Sequence, residues 1–258
     1  MTAQPTITIV AARGLGDTVC CLPAAYRYVA DGYRVNLCNA GSVQFADTLP
    51  ALVPIGTERE GTVLDMSGGM AFGGECRVFA HVSLRLGVYP LAIPEGPWLR
   101  KSDEQVGMVR ALGVPGEFVV VSCEGFSSSR RLEPEQVAAV VQVAEENGLA
   151  TVVVCDKAHT DMPGLNLTGK TTLPQLYALL AHARAAVCVD SGPLHTAAAF
   201  RTPVLAVVGQ TLNPYALCDD YQPSLWLHGQ DSYTICPEDV AEGLWRLLEL
   251  TEQCASPS

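Results

Sequence analysis

Residues 187–211 read VCVDSGPLHTAAAFRTPVLAVVGQT, and this stretch decides the fold. A run of apolar residues without alternation ends in Asp190-Ser191-Gly192-Pro193, a segment of small residues follows, and PVLAVVG forms a second Val-rich run. Buried strand, turn, helix and buried strand together make the repeating unit of a parallel sheet covered on both faces. The turn is the chemically loaded point. The leading N–H donors of a helix lack internal partners, and the aligned peptide dipoles place partial positive charge there, which suits a diphosphate. Gly192 permits close approach, and Pro193 forfeits only a donor the helix could not use. His195, one turn in, can donate to a phosphate oxygen or a sugar hydroxyl. A purely structural reading stays open beside this one, with Asp190 or Ser191 as an N-cap and His195 packed on the next strand.

The same order extends outward. EFVVVSC (117–123), EPEQVAAVVQVAEENG (133–148), ATVVVC (150–155), LPQLYALLAHA (173–183) and AAVCVD (185–190) alternate strand and helix, and PEDVAEGLWRLLEL (237–250) is an amphipathic helix opened by Pro237. Toward the start, TITIVAA (6–12) is a strand, RGLGDT (13–18) a loop, and VCCLPAAYRYVADG (19–32) a helix that stops at Gly32. RVNLC (34–38) and TVLDM (62–66) are further strands, the second running into the loop SGGMAFGG. YPLAIPEGPWLRKS (89–102) is proline-rich and non-periodic, as a linker or crossing loop is. The reading is α/β with two Rossmann-like domains facing a cleft, 1–98 and 99–258.

Composition narrows the function. The chain has 258 residues, 48% hydrophobic and 17% charged, which excludes a disordered polymer. Its apolar runs stop short of the roughly 18 residues a membrane span needs, and no basic leader precedes the first strand, so a cytoplasmic protein is expected. The ten cysteines include no C-x-x-C pair. Cys38, Cys123, Cys155 and Cys188 sit in or beside apolar runs and read as small buried hydrophobes in a reducing compartment. The five histidines are scattered, so neither a metal nor another cofactor is expected. A net charge of −11 repels polyphosphate backbones and disfavours nucleic acid as a partner. Arg130 and Arg131 can still hold a small phosphate at short range.

Two other segments carry chemistry. In Arg13-Gly14-Leu15-Gly16-Asp17, a carboxylate at a cleft edge could take the proton of an acceptor hydroxyl, although Asp17 also reads as an ordinary N-cap. In CEGFSSSRRLEPEQV (123–137), a strand end, serines and two arginines precede a helix opened by Pro134. A cation there would neutralise a departing diphosphate in place of a metal, and a solvated basic loop is the alternative.

The stretch 167–214, LTGKTTLPQLYALLAHARAAVCVDSGPLHTAAAFRTPVLAVVGQTLNP, resembles the donor-binding half of heptosyltransferases. In that family an Asp-Ser/Thr-Gly-Pro-x-His-x-Ala-Ala motif binds the nucleotide diphosphate. The resemblance implies donor contacts at Asp190, Ser191, Gly192, Leu194 and His195. The family's Gly-Pro-Thr after the next strand is matched with Gln210 in place of proline, leaving Thr211 as loop support. The N-terminal Gly-Asp resembles the family's too, which implies Asp17 as catalytic base with Gly14 and Gly16 supporting the loop. The family's phosphate-binding Lys falls on Arg131 and a hydroxyl position on Ser127, with Glu133 where a Trp is usual. Arg130 joins that set, and Asp156 is matched to a donor-ribose contact. The implied activity is inverting, metal-independent transfer of a heptose or similar sugar from an ADP-linked or other NDP-sugar. Its acceptor hydroxyl belongs to a glycan, a protein or even modified DNA. Residues 40–100 carry almost none of the resemblance, and the chain is short for the family, so a trimmed acceptor side is expected.

Three rival readings are compatible with parts of the sequence. Gly164 to Thr171 fits the P-loop pattern of a nucleotide hydrolase or kinase, although Pro174 puts the helix start late. Gly14-x-Gly16 is half of a dinucleotide fingerprint, with Val19 at the third glycine position. A non-catalytic sugar-nucleotide binder would share every donor contact.

Overall fold

The computed structural model describes residues 4–11, 14–38, 52–55, 59–66, 82–83, 85–88, 96–209 and 223–255. Gln210, Thr211 and the loop SGGMAFGG lie outside them. The N-terminal layer comprises β1 (Thr6–Val10), α1 (Leu15–Cys20), α2 (Leu22–Ala30), β2 (Arg34–Cys38), β3 (Val53–Ile55) and β4 (Thr62–Asp65). Its strands form a parallel sheet in the order β3-β2-β1-β4.

The C-terminal layer begins with α3 (Asp103–Ala111), β5 (Phe118–Ser122), α4 (Pro134–Glu146), β6 (Ala150–Val154) and β7 (Leu165–Asn166). It continues through α5 (Leu173–His182), β8 (Ala185–Val189), α6 (Gly192–Ala199), β9 (Val204–Val208), β10 (Ser224–His228) and α7 (Pro237–Ala255). The sheet order is β10-β9-β8-β5-β6-β7, with every pairing parallel. This is a doubly wound sheet whose strand order reverses between β5 and β8, and ligands of such sheets bind outside the strand ends at that switch point. The corresponding reversal in the N-terminal sheet lies between β1 and β4.

Strands β5, β8 and β9 are buried at every position, as their unbroken Val/Ala runs require. Val140, Val143, Leu244 and Leu247 from α4 and α7 cover one face of the sheet, and Val109, Leu179 and Leu194 from α3, α5 and α6 cover the other. The two layers are not joined by a free linker. Ile9, Val19, Leu22 and Leu37 share one apolar cluster with Trp98, Tyr177, Ala198 and Phe200. Trp98 and Leu99 are buried, and their amides donate to the Ala199 carbonyl at 2.9 and 3.1 Å. The segment that reads as a linker is therefore docked from Trp98 onward, because a buried aromatic outweighs the proline signal around it.

Other details also differ from the sequence reading. The single helix expected over 19–32 starts earlier, at Leu15, and breaks at Cys21 into α1 and α2. It does end before Gly32, whose φ of +89° only glycine adopts readily. The P-loop reading is overturned. Leu165 and Asn166 lie in β7, which pairs with β6, so the segment cannot wrap phosphates. Lys170 Nζ donates to the Asn166 carbonyl at 2.9 Å, and α5 starts only after the N-cap Thr172. Among the described residues, no helix is long and apolar enough to cross a membrane.

Candidate functional site

The helices that begin the two switch points meet. A Cβ built on Gly16 in α1 would stand 2.9 Å from His195 Cδ2 and 3.3 Å from Gly192 Cα in α6. Glycine is required for this approach, since real Cβ atoms essentially never come so near. Gly14, not Asp17, is the N-cap of α1. Asp17 is the third helical residue, and its Oδ2 accepts the Gly14 N–H at 3.1 Å. The expected cap role is thus corrected: the carboxylate lies within the first turn and reaches back to the Gly14 cap. Asp17 is half-buried, and its charge acts on His195.

On the opposite side, Ser191 stands at the N-cap of α6 but does not cap it. Its hydroxyl donates to the Val189 carbonyl at 3.1 Å, leaving the helix start without a side-chain acceptor. Ser191, Gly192, Pro193 and His195 are each partly buried and keep some exposure to solvent. Leu194 is different. Its side chain is fully buried in the C-terminal core, so only its backbone can meet a ligand. Burial pulls the His195 pKa below its ordinary 6.5, and Arg130 adds to this while Asp190 and Asp17 oppose it. The imidazole is therefore neutral near pH 7 and can donate from one ring nitrogen while accepting at the other.

The two arginines separate. Arg130 Nη1 pairs with Asp190 Oδ2 at 2.9 Å, tying the β5–α4 loop to the β8–α6 turn. Gly125 makes that proximity possible, because a Cβ there would lie 2.9 Å from the Asp190 carbonyl oxygen and 3.0 Å from Arg130 Cβ. Arg131, expected from spacing to be the phosphate cation, instead donates from Nε to Glu133 Oε1 at 2.7 Å and lies over the Tyr233 ring. Ser127 Oγ pairs with Ser129 Oγ at 2.8 Å within the same loop, beside a fully exposed Phe126. Asp156 is exposed just beyond the end of β6.

Sequence reasoning missed the residues that hold this loop. Buried Ser232 accepts the Arg131 N–H at 2.8 Å and has the Arg131 and Ser129 carbonyls within reach of its own proton. Buried Gln136 accepts the Glu133 N–H at 2.8 Å and donates from Nε2 to the Ser232 and Ile235 carbonyls. The Glu-Pro-x-Gln spacing at a helix start is a capping-box pattern and could have flagged Gln136. Nothing local flags Ser232, which is about a hundred residues away along the chain.

The cysteine reading needs one correction. Cys38, Cys123 and Cys188 are buried as expected, but Cys155 is partly exposed and lies with Glu124 and His159, the ligand atoms of all three within 4.8 Å of one another. The histidines scattered in sequence include one that the fold brings to a thiol and a carboxylate. A hydrogen bond from Cys123 draws the Cys155 thiol below its ordinary pKa, against the opposing effect of burial and with help from His159.

A doubly wound six-stranded sheet that presents its switch point to a second parallel layer is the architecture of GT-B glycosyltransferases. Residues 118–216 match the family model described as glycosyltransferase family 9 (heptosyltransferase). Over 114 residues the chain is 31% identical to lipopolysaccharide heptosyltransferase 3 of Escherichia coli K12, an overlap of 39% of this chain and 33% of the relative. The chain thus spans about a third of the length of that curated relative. Among solved structures, a family 9 glycosyl transferase from Veillonella parvula superposes with a TM-score of 0.73 at 14% identity, covering 95% of this chain and 97% of the other. The iron-containing heptosyltransferase TibC, solved with ADP-D-beta-D-heptose, gives 0.66 at 17% identity, covering 98% and 77%. These likenesses establish the fold, and the matched domain includes the Asp190-Ser191-Gly192 turn.

Proposed function

We propose that this chain is an inverting, metal-independent glycosyltransferase that moves a heptose or similar sugar from a nucleoside diphosphate to an acceptor hydroxyl. The observation that carries the reading is the apposition of Gly16 and Asp17 with Gly192 and His195 across the layers. The family 9 domain and the ADP-heptose bound by TibC favour an ADP-linked donor.

In this reading the pyrophosphate lies on the open start of α6. The amides after Asp190 and the cation of Arg130 take up the charge that develops as the diphosphate leaves. The acceptor oxygen attacks the anomeric carbon from the Asp17 side, and its proton passes to Asp17. The bond from that carbon to the β-phosphate oxygen breaks, and its electron pair leaves with the nucleoside diphosphate. Attack and departure on opposite faces invert the configuration. The neutral His195 orients a phosphate oxygen or a sugar hydroxyl between them. Arg130, paired with Asp190 at the same turn, supplies positive charge there from the protein.

Asp17→Asn tests this reading, with ADP-heptose and a panel of other NDP-sugars as donors. Asparagine keeps an oxygen to accept the Gly14 N–H, so folding should be unaffected. Turnover should fall about 10²- to 10⁴-fold while donor affinity is retained. Full turnover in Asp17→Asn removes the base assignment. Donor binding by the native chain without any turnover would identify a binding module instead.

A further inference from the structure

The pair of strands on the other side of β5 carries a second constellation, independent of the transferase reading. In the β5–β6 register Ser122 faces Val154, so the next residues, Cys123 and Cys155, come level at the two strand ends. Glu124 follows at once. Its backbone is fixed by a short bridge to Arg131, by the Leu132 N–H to the Cys123 carbonyl at 2.8 Å and by the Gly125 N–H to the Arg130 carbonyl at 2.7 Å. His159 is held equally firmly. Its N–H donates to Thr168 Oγ1 at 2.9 Å, and its carbonyl accepts from Asn166 Nδ2 at 2.7 Å. Gly169, at φ +67°, lets the chain close on Ala158 and donates its N–H to the Cys155 carbonyl at 2.9 Å.

The framework presents three different donors to one point. His159 Nε2 lies 3.0 Å from Glu124 Oε2, and Cys155 Sγ completes a group within 4.8 Å. With bonds of about 2.0 Å to nitrogen and oxygen and about 2.3 Å to sulfur, tetrahedral ligands of this set sit roughly 3.3–3.5 Å apart, which rotations of these side chains from their present separations would reach. Glu124 is at 13% side-chain exposure against 32% for His159, and Lys157 holds its other oxygen. The thiol excludes magnesium and calcium as natural occupants, and the sulfur, nitrogen and oxygen set suits zinc.

We infer that Glu124, Cys155 and His159 form a zinc-class metal site at the ends of β5 and β6, with the buried Cys123 thiol hydrogen-bonded to Cys155 beside it. Cys155 binds as thiolate, releasing its proton to solvent, and the hydrogen bond between His159 and Glu124 is replaced by two bonds to the ion. The site lies on the β6 side of β5, whereas Asp190 ends β8 on the other side. The ion therefore ties the ends of β5 and β6 together and leaves the diphosphate turn to Arg130.

Cobalt titration of the full chain, with no donor or acceptor present, tests the site separately from transfer. The expected result is a thiolate-to-cobalt charge-transfer band with tetrahedral visible bands, saturating at one ion per chain and displaced by zinc. Cys155→Ser and His159→Asn should each weaken binding about 100-fold or more, and Cys236→Ser and Cys254→Ser should not. Circular dichroism of each variant checks folding, and Glu124→Gln supplies an independent loss if Cys155→Ser fails to fold. A native chain without the thiolate band, or a band that survives Cys155→Ser, overturns the site.

Discussion

Gly16 and His195 are packed so closely that a single added carbon on the glycine would lie 2.9 Å from the imidazole Cδ2. The two residues lie in helices of different layers and are far apart in the chain, so their contact measures how tightly the layers close on the site. The same added carbon would also lie 3.3 Å from the Gly192 Cα, and that backbone offers little room to yield.

Gly16→Ala should therefore shift α1 from α6 rather than compress a flexible side chain. Overpacking of this kind costs about 1–3 kcal/mol. Turnover should fall by about 10²-fold, because displacing reacting groups by about an ångström has that effect. Thermal melting and steady-state kinetics separate the two. Full activity in Gly16→Ala would show that the layers close differently when working.

Arg130 and Arg131 make opposite predictions. Arg130→Ala removes the cation on Asp190 and should cost about 10²-fold or more in kcat with a donor in hand. Arg131→Ala breaks an exposed pair with Glu133 and a contact with Tyr233, and should cost less than about 10-fold. The reverse ranking, measured on the same donor, would return the phosphate cation to Arg131, where the family spacing puts it.

Ser232 is a stability prediction. Its hydroxyl accepts the Arg131 N–H at 2.8 Å and lies 2.7 Å from the Arg131 carbonyl, so Ser232→Ala leaves polar groups in a buried spot without a partner. Denaturant unfolding should show a loss of about 1–3 kcal/mol. An unchanged midpoint would mean that the serine loop is anchored elsewhere.

His195 sets a pH dependence. Its folded pKa lies below the ordinary 6.5, so the unfolded chain takes up more protons as the medium acidifies. The stabilisation from burying the neutral ring is complete above about 6.5 and is lost as the pH falls toward the depressed folded value. In His195→Gln that part of the acid limb should flatten. Melting temperatures of both proteins between about pH 7 and pH 5 check it, and parallel curves would contradict the assignment.

Chelation should leave transfer intact. Turnover in EDTA at a temperature well below the melt should stay within about twofold, because the charge on the leaving diphosphate is met by Arg130 and helix amides. Loss of turnover under conditions where the chain remains folded would place a metal in the reaction.

The Val-rich runs and the glycine and proline at the start of α6 were legible in the sequence, and the capping spacing at Glu133 and Gln136 was present in it but unread. Each depends on a residue and its near neighbours: an unbroken apolar run must be buried on both faces, and a helix start carries its own unpaired donors. Asp17 was legible as a carboxylate near a helix start, but not its position within the first turn, because Gly14 takes the cap. The partners of these residues were decided only by tertiary structure. Sheet order set Asp190 against Arg130, brought Cys155 and His159 to Glu124, and closed Gly16 on His195. Periodicity along a chain reports which face of an element is buried, whereas contacts between strand ends follow from the winding of the sheet, which no local pattern encodes.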